Sequence, residues 1–468
     1  MLSPVRARGM QAILLSAAAF LLVSPYQAQA NVGEAFGFGS QSAALAGAGA
    51  AAADFGAFST YGNPATLSVE KSKRLTISWG LLFAEPSFTP IDNVLVSNNV
   101  TAGSDLTGSI DQDYKSTFGQ MIALSYRLFP ETLNLTFGAI TYFPIDDLAY
   151  MDTGPTLQPE YVLYRARTQR PQFEFGIGAD LGSGFHVGVG MHLAYSLTTN
   201  ADVTIATTNG TSSSMRLTSS LKPRAAPSFG LSYVPPVSNP AFSLGAVVRL
   251  PVSSANNITV KNTTRVVGTN LDFNFGGFSA IYYDPLSVEL GAVIQEGDVG
   301  KLYLQGEFQA WGSFEPPGVN INQTAISSCG PGCPIAINPS TNPAYRFRDI
   351  FVPRVGQEFE LGRSTIRLGY AYRPSILSEL PTGNGNYLDP PKHIITAGFG
   401  YKFAHFLSFD VPCTLDLHGT YQALVSQHID KVPGTNELGN SGDEKIGYPG
   451  YDAGGSVYGG GASITLAI

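Results

Sequence analysis

The sequence predicts an all-β transmembrane protein: an antiparallel β-barrel of about 14 strands whose lumen is plugged by an N-terminal hatch of small residues. Three observations support this fold class. Few residues are charged, apolar side chains alternate along most of the chain, and a stretch rich in Ala and Gly precedes the first alternating segment. Alternation gives each strand one apolar face and one polar or small face.

The composition excludes several classes of protein. Only 13% of the residues are charged and 44% are hydrophobic, whereas soluble proteins average roughly 25% charged residues. A disordered acidic chain is therefore excluded. The net charge is -8, from 27 Lys+Arg and 35 Asp+Glu. This leaves no basic surface for phosphates, so we expect no nucleic-acid partner.

Residues 1–30 have the pattern of a secretory signal peptide. A short segment with two arginines precedes an apolar stretch from Met10 to Val23, and an Ala-Gln-Ala cleavage site follows at 28–30. The apolar stretch is shorter than the ~20 residues of a transmembrane helix. We therefore expect the mature chain to begin at Asn31, and we expect no transmembrane helix later in the chain.

From about Leu75 onward, apolar residues recur at every second position. One face of the segment 184–204 carries Phe185, Val187, Val189 and Met191, and the other carries His186, Gly188, Gly190 and His192. A soluble β-sandwich would alternate as well. The barrel is favoured because many segments exceed the ~10 residues that cross a bilayer. In addition, the second face is rich in Gly, and aromatic pairs such as Tyr142 and Phe143 lie near segment ends, where girdles form.

The alternating segments number fourteen, an even number as in bacterial barrels. They are 75–84, 114–129, 132–144, 160–181, 184–204, 213–234, 241–262, 270–294, 300–313, 346–361, 364–374, 391–405, 407–427 and 453–468. Segment 270–294 can contain a break at Asp284-Pro285. Short turns such as 182–184 alternate with long Gly/Pro/Asn-rich stretches, which predicts periplasmic turns and extracellular loops.

Residues 31–70 do not alternate. The small side chains from Ala43 to Ala53 supply too little apolar bulk for an independent core, and the aromatic residues around them argue against pure disorder. A flexible exported linker is the alternative. We interpret the segment 31–70 as a compact hatch inside a barrel formed by residues 71–468.

Several motifs resemble the FadL-type outer-membrane transporters of long-chain fatty acids and hydrocarbons (the outer membrane protein transport family). The run Gly47-Ala48-Gly49-Ala50, the acidic-aromatic stretch after it and Asn63-Pro64-Ala65 are similar to the hatch of that family. The C-terminal half resembles it at 354–359, 366–374, 393–401 and 459–466. The chain ends in Ile468, whereas such barrels commonly end in an aromatic residue, so recognition by the assembly machinery can differ.

The resemblance implies passive, hatch-gated uptake across the Gram-negative outer membrane, with lateral exit of the substrate through the barrel wall. It implies a hydrophobic small molecule, membrane lipid, lipopolysaccharide and the barrel-assembly machinery as partners of a monomer that needs no cofactor. The candidate hatch and gating residues are Gly47, Gly49, Asn63, Pro64 and Ala65.

Four residues are candidates for substrate binding. Phe36 and Phe38 lie at the hatch end that would meet the ligand, although packing of the plug would explain them equally well. Arg165 and Arg167 share one face of a segment and could hold a carboxylate. Bracing a lumenal Glu or Asp is the favoured alternative for these two arginines.

No catalytic motif accompanies these candidates, so we expect no enzyme. Cys329 and Cys333 predict a disulfide in a surface loop and no metal site, while Cys413 predicts a buried thiol. His186 and His192 are too far apart in a strand to bind one ion and predict polar lumen residues. A general porin or a structural adhesin barrel is the main alternative to the transporter.

Overall fold

The computed structural model describes residues 32–69, 74–97, 106–110, 114–128, 134–146, 157–164, 170–206, 214–237, 240–266, 269–297, 300–314, 318–327, 346–405, 411–433 and 445–468. The predicted signal peptide lies outside this part of the chain. Among the described residues, no helix is long and apolar enough to cross a membrane.

The described chain is mostly β-strand. In chain order the strands are β1 (Leu75–Phe88), β2 (Ile91–Ser97), β3 (Leu106–Ile110), β4 (Thr117–Leu128), β5 (Leu135–Pro144), β6 (Glu160–Tyr161), β7 (Gln172–Gly182), β8 (Phe185–Ala206), β9 (Ser214–Tyr233), β10 (Phe242–Arg249), β11 (Val252–Val266), β12 (Thr269–Asp284), β13 (Ser287–Glu296), β14 (Gly300–Gln309), β15 (Gly318–Ser327), β16 (Ile350–Leu361), β17 (Ser364–Arg373), β18 (Tyr387–Leu388), β19 (Lys392–Phe403), β20 (Cys413–Asp430) and β21 (Gly450–Ala467).

Fourteen of these strands close into a barrel, which confirms the predicted fold class. They follow the order β1, β4, β5, β7, β8, β9, β10, β13, β14, β16, β17, β19, β20 and β21, and each is antiparallel to the next. Strand β21 closes the barrel on β1 in a register that places Trp79 opposite Ile464. Each of the predicted alternating segments overlaps one barrel strand. The prediction for segment 160–181 was wrong in its first part, because β7 begins only at Gln172 and residues 160–164 form the short strand β6 and a turn.

Two predicted segments, 241–262 and 270–294, are broken by prolines. Strand β10 ends before Pro251, and β12 ends before Pro285 at the break that the sequence suggested. Proline has no amide hydrogen for the ladder, which favours a break at these two positions. Between the two prolines the chain leaves the barrel. Strand β11 pairs parallel with the far half of β8, a departure from the purely antiparallel sheet that we expected.

The barrel wall has an apolar outer face and a polar or small-residue inner face. On β8, Val189 is 55% exposed and Phe185 48% exposed, while the inward-facing His186 and His192 are buried. A continuous exposed apolar surface is what contact with lipid requires. One aromatic residue departs from the predicted girdles. Tyr142 faces the lumen and is fully buried, because its position in β5 has inward parity.

The hatch lies inside the lumen. It consists of α1 (Val32–Phe36), α2 (Ser40–Ala44), α3 (Ser59–Gly62) and two 3-10 helices, Gly56–Phe58 and Pro64–Ser68. Wherever the hatch approaches the wall, the strands present inward glycines: Gly138, Gly176, Gly178, Gly188, Gly230, Gly245, Gly291, Gly356, Gly369 and Gly398. A β-carbon on Gly245 would overlap the carbonyl of Ala50. The Gly-rich lumenal face therefore makes room for the hatch backbone.

Candidate functional site

Side chains of the barrel wall bind the hatch backbone. Arg354 Nη1 donates to the carbonyl of Ala46 at 2.7 Å, and Arg249 Nη2 donates to the carbonyl of Tyr61 at 2.6 Å. The guanidinium of Arg249 also lies 4.4 Å from the centre of the Tyr61 ring. Short helices leave their carbonyls without intrahelical partners. The wall supplies those partners, and this holds the hatch in place.

One salt-bridge cluster joins the hatch to the periplasmic half of the wall. Lys301 Nζ lies 2.8 Å from Asp54 of the hatch, 3.2 Å from Glu358 and 2.9 Å from Glu360. The three carboxylates lie close enough together for a metal ion, but the ammonium of Lys301 contacts all of them. Burial alone would raise the pKa of Asp54, yet Lys301 holds that pKa below its usual value.

The predicted hatch turn Asn63-Pro64-Ala65 is a rigid cap. Asn63 Oδ1 accepts a hydrogen bond from the amide of Ala65 at 3.0 Å and caps the 3-10 helix that begins at Pro64. Asn63 Nδ2 donates to Ala50 O at 2.7 Å and to Leu231 O of β9 at 3.2 Å. The turn therefore ties two parts of the hatch to the wall, and its role in gating stays a prediction.

The predicted glycines Gly47 and Gly49 lie in the tight chain between α2 and Phe55. Gly47 has a φ of 80°, a conformation that side chains disfavour, and a β-carbon there would lie 3.1 Å from Arg354 Nη1. A β-carbon on Gly49 would lie 2.8 Å from the ring of Phe55. Both positions require glycine in the docked hatch, and whether they act in gating is untested.

An apolar cluster, here called the hatch-side cluster, runs from the hatch up the wall to the extracellular loops. Its large members include Val32, Phe36, Phe38, Phe58, Leu82, Ile91, Tyr114, Met121, Ile140, Tyr142, Tyr161, Leu424 and Tyr451. Phe36 and Phe38 are both buried in it, and the ring of Phe38 lies 4.8 Å from that of Tyr61. The structure therefore brings these two predicted residues together. Arg165 and Arg167 lie outside the described residues.

A second apolar cluster, the mouth cluster, lies at the extracellular ends of β14, β16 and β17. It contains Val162, Leu163, Tyr283, Trp311, Phe314, Ile350, Val352, Ile376, Leu377 and Tyr387. Tyr164 packs against both clusters. The two clusters together form a band of packed apolar side chains from the extracellular loops to the first helix of the hatch.

Two buried cations lie between the clusters. Arg373 of β17 faces Lys392 of β19 across the ladder, and they are 6% and 5% exposed. Arg373 lies 3.3 Å from Asp389 and 3.8 Å from Glu34, and its Nη2 atom has no hydrogen bond. Like charges directly opposite each other destabilise a sheet. The structure thus keeps an unfavourable pair of cations in the lumen.

Lys392 has fewer acidic neighbours than Arg373. Its Nζ donates to the hydroxyl of Tyr164 at 2.7 Å and lies 4.8 Å from that ring. Among the described residues, no carboxylate lies within salt-bridge distance of Lys392. The site can therefore accept a negatively charged group. The sequence analysis missed both cations; the signal for Arg373 is the alternation of segment 364–374, which puts it on the face opposite Ile366, Leu368 and Tyr370.

The two predicted lumenal histidines have separate partners. His186 Nδ1 lies 2.9 Å from Ser68 Oγ of the hatch, and His192 contacts Glu174 of β7. The two histidines therefore contact different groups. Cys413 is buried, as expected, while Cys329 and Cys333 lie outside the described residues.

Glu34 of α1 is the buried acid of the hatch. Burial raises its pKa to about 7 from the ordinary 4.5, and Arg373 and Lys392 only partly oppose this, while Glu307 and Asp284 raise the pKa further. Because the docked state disfavours the charged form, we expect docking of the hatch to weaken as the pH rises from 4.5 to about 7.

We expect Glu34→Gln to remove this pH dependence. The variant hatch should dock as tightly as the wild type at about pH 4 and more tightly at about pH 8, since an amide carries no charge to desolvate. Leak conductance in planar bilayers across this pH range measures the effect. Identical pH profiles for the two proteins would show that Glu34 does not control docking.

No family model matches the chain. Alkane uptake protein A of Marinobacter nauticus is 32% identical over 87 residues, which span 18% of this chain and about a fifth (19%) of that protein. Among solved structures, the Pseudomonas aeruginosa FadL homologue matches with a TM-score of 0.52 and 13% identity, covering 94% of this chain and 98% of that one.

Two toluene transporters have the same architecture. The P. putida toluene transporter TodX matches with a TM-score of 0.53 and 14% identity, covering 92% of this chain and 99% of its own. The Ralstonia pickettii toluene transporter TbuX matches with a TM-score of 0.51 and 16% identity over the same shares. The resemblance seen in the sequence motifs is thereby confirmed at the level of the fold, and this chain has the fold of the FadL-type outer-membrane transporters.

Proposed function

We propose that the protein is a transporter that lets hydrophobic small molecules diffuse across the Gram-negative outer membrane, gated by the hatch and with lateral exit through the wall. One observation carries the proposal: the hatch-side cluster is a continuous body of packed apolar side chains that reaches from the extracellular loops to the hatch helix α1. Such molecules are sparingly soluble and need an apolar path past the polar lipopolysaccharide. The names of the similar proteins, an alkane uptake protein and two toluene transporters, support this class of substrate.

The exposed apolar outer face of the barrel supports the proposal that the protein is located in the outer membrane. We propose that the protein acts there as a monomer, in contact with lipopolysaccharide, after insertion by the barrel-assembly machinery. A channel of this kind needs neither a catalytic group nor a cofactor.

Gating by the hatch is supported by the way the hatch is held. The wall binds it through side-chain hydrogen bonds to Ala46, Tyr61 and Asn63 and through the Asp54–Lys301 salt bridge. Water can replace such polar contacts, so the hatch can leave its position at modest cost in free energy. Gly47 and Gly49 give the hatch chain itself conformational freedom.

The buried cations support an amphiphile with an anionic head, such as a long-chain fatty acid, over an alkane. Lys392 and Arg373 lie where the two apolar clusters meet, so a carboxylate there would place its tail against aromatic side chains. Charge-assisted hydrogen bonds are the strong ones in a low-dielectric site. Arg165 and Arg167 remain predicted contributors.

A gene deletion tests the proposal. We expect a strain that lacks this protein and every paralogue to take up radiolabelled oleate slowly and to grow poorly on it, and a plasmid copy should restore both. Growth of the same strains on a liquid hydrocarbon tests the second substrate class. Unchanged uptake of both substrates would contradict the proposed function.

Deleting residues 31–70 while keeping the signal peptide separates the transporter from a general porin. We expect the shortened protein to conduct ions far better than the full chain in planar bilayers, because the hatch fills the lumen. A porin or an adhesin barrel would conduct equally with and without this segment.

A further inference from the structure

Four aromatic rings pack together where strand β1 ends, beside the hatch-side cluster. Phe88 is the last residue of β1, and its ring lies between three tyrosine rings. It stacks on Tyr161, with 3.9 Å between the ring centres and 14° between the planes. The rings of Tyr114 and Tyr164 meet it at 86° and 65°, with centres 4.9 and 5.1 Å away. We call the space between these three tyrosines the tyrosine slot.

The walls of the tyrosine slot are held in place through their hydroxyl groups. Tyr161 Oη donates to the carbonyl of Gly454 at 2.9 Å and accepts from the amide of Gly454 at 2.7 Å. Tyr114 Oη accepts from the backbone amide of Tyr161 at 2.8 Å. Tyr164 Oη accepts from Lys392 Nζ at 2.7 Å. These hydrogen bonds fix the three walls independently of the ring that lies between them.

The ring that fills the slot is held by packing alone. The phenyl group of Phe88 has no donor or acceptor and is only partly buried, whereas Tyr161 is fully buried. The described ladder between β1 and β4 ends at Ala84, and the ladder with β21 continues to Phe88. There Phe88 lies opposite Gly455, which has no side chain to confine it. The Phe88 ring can therefore leave by rotation about its own bonds, while the tyrosines would have to break hydrogen bonds.

The tyrosine slot adjoins the buried cations through Tyr164. Phe88 and Tyr164 both pack against the hatch-side cluster, and Tyr164 packs against the mouth cluster as well. Lys392 Nζ lies 4.8 Å from the centre of the Tyr164 ring. A molecule with its anionic head at Lys392 would therefore place a neighbouring apolar segment at the slot. That segment and the Phe88 ring would compete for the same space.

We propose that the tyrosine slot binds a planar apolar group, such as an aromatic ring or the double-bond region of an unsaturated chain. Phe88 acts there as an internal competitor, which fills the slot until the entering molecule displaces it. This inference rests on the proposed function. Aromatic walls favour flat groups because ring pairs prefer stacked and edge-to-face contacts, and the Phe88 ring already makes both. Occupation by Phe88 lowers the apparent affinity in proportion to the time that the slot is filled.

Fluorine NMR of the full chain in lipid nanodiscs tests the displacement. 4-Fluorophenylalanine is incorporated at position 88, and in a matched control it replaces Phe83. Phe83 lies on the same strand and faces the lipid, where it is 40% exposed. The fluorine at position 88 lies near the Tyr161 ring, whose ring current contributes to its resonance, so departure from the slot shifts that resonance. Heat-modifiable migration in gels verifies that both labelled proteins fold.

We expect saturating benzene, and separately saturating oleate, to shift the resonance at position 88 and to leave the control resonance in place. Hexadecane has no planar group and should cause a several-fold smaller change. Phe88→Ala, which removes the competitor, should bind radiolabelled oleate about tenfold more tightly. Phe83→Ala should bind it as the wild type does.

A resonance at position 88 that stays in place while oleate binds would overturn the slot and leave the uptake function standing. Weaker oleate binding by Phe88→Ala would show that Phe88 is a wall of the binding site and not its competitor. An equal response to hexadecane would refute the preference for planar groups. If the unlabelled wild type neither binds nor imports any of the three compounds, the proposed function fails and the slot fails with it.

Discussion

A valine at Gly188 is expected to displace the hatch and to convert a closed barrel into an open pore. A β-carbon at this position of β8 would lie 2.7 Å from the carbonyl oxygen of Pro64 and closer still to the amide of Ala65. These are backbone atoms held by the Asn63 cap, so they cannot rotate away as the end of a flexible side chain could. Overpacking of this kind forces one of the two surfaces to move.

The hatch should be the surface that moves. The wall is held by a closed ladder of hydrogen-bonded strands, whereas the hatch depends on side-chain contacts. We therefore expect Gly188→Val to insert normally, to raise ion conductance in bilayers several-fold and to sensitise cells to large antibiotics. The control is Gly419→Val, on the lipid-facing side of β20, where the nearest heavy atom lies 4.0 Å away. A closed Gly188→Val pore would show that the hatch does not occlude the lumen.

The barrel was predictable because alternation is a local property. Each inward or outward position follows from parity within one strand, so Phe185 and His186 were assigned to opposite faces from the sequence alone. The exceptions came from non-local geometry. The alternation in segment 241–262 does not predict that β11 pairs with β8. That pairing depends on where the chain lies after Pro251.

The candidate site was predictable only in part, for the same reason. The hatch motif identified Asn63, and strand parity placed Arg373 in the lumen. The partner of Arg373 comes from the next strand, and Tyr164 comes from the part of segment 160–181 that forms a turn and not a barrel strand. Which lumenal charges are left without a counter-charge is a property of the assembled barrel, and it cannot be read from one strand at a time.

The arrangement of the lumen would allow the proposed transporter to be selective although it is plugged. One side of the hatch is held by charged and polar groups such as Arg249 and Arg354, and the other side packs on the hatch-side cluster. An apolar molecule that enters the cluster competes with Phe36 and Phe38 for the same surface. We infer that the ligand loosens the apolar side of the hatch while the polar side keeps it attached.

Replacing Lys392 by methionine is expected to weaken the binding of a long-chain carboxylate without affecting an alkane. Lys392 is buried beside Arg373 and donates a hydrogen bond to the hydroxyl of Tyr164, and none of the described carboxylates lies within salt-bridge distance of it, so a ligand carboxylate would be its first anionic partner there. A hydrogen bond to a charged group contributes about 1.5–3 kcal/mol, which corresponds to an affinity loss of about 10- to 100-fold. Methionine keeps an unbranched apolar stem in the same space.

Equilibrium binding of radiolabelled oleate and hexadecane to the purified protein in detergent measures this difference. The matched control is Lys402→Met, which removes an exposed charge from the periplasmic end of the same strand, β19. We expect the control to bind both ligands as the wild type does. Equal weakening of both ligands by Lys392→Met would mean that the lysine only shapes the apolar chamber, and unchanged oleate binding would mean that the anionic head lies elsewhere in the lumen.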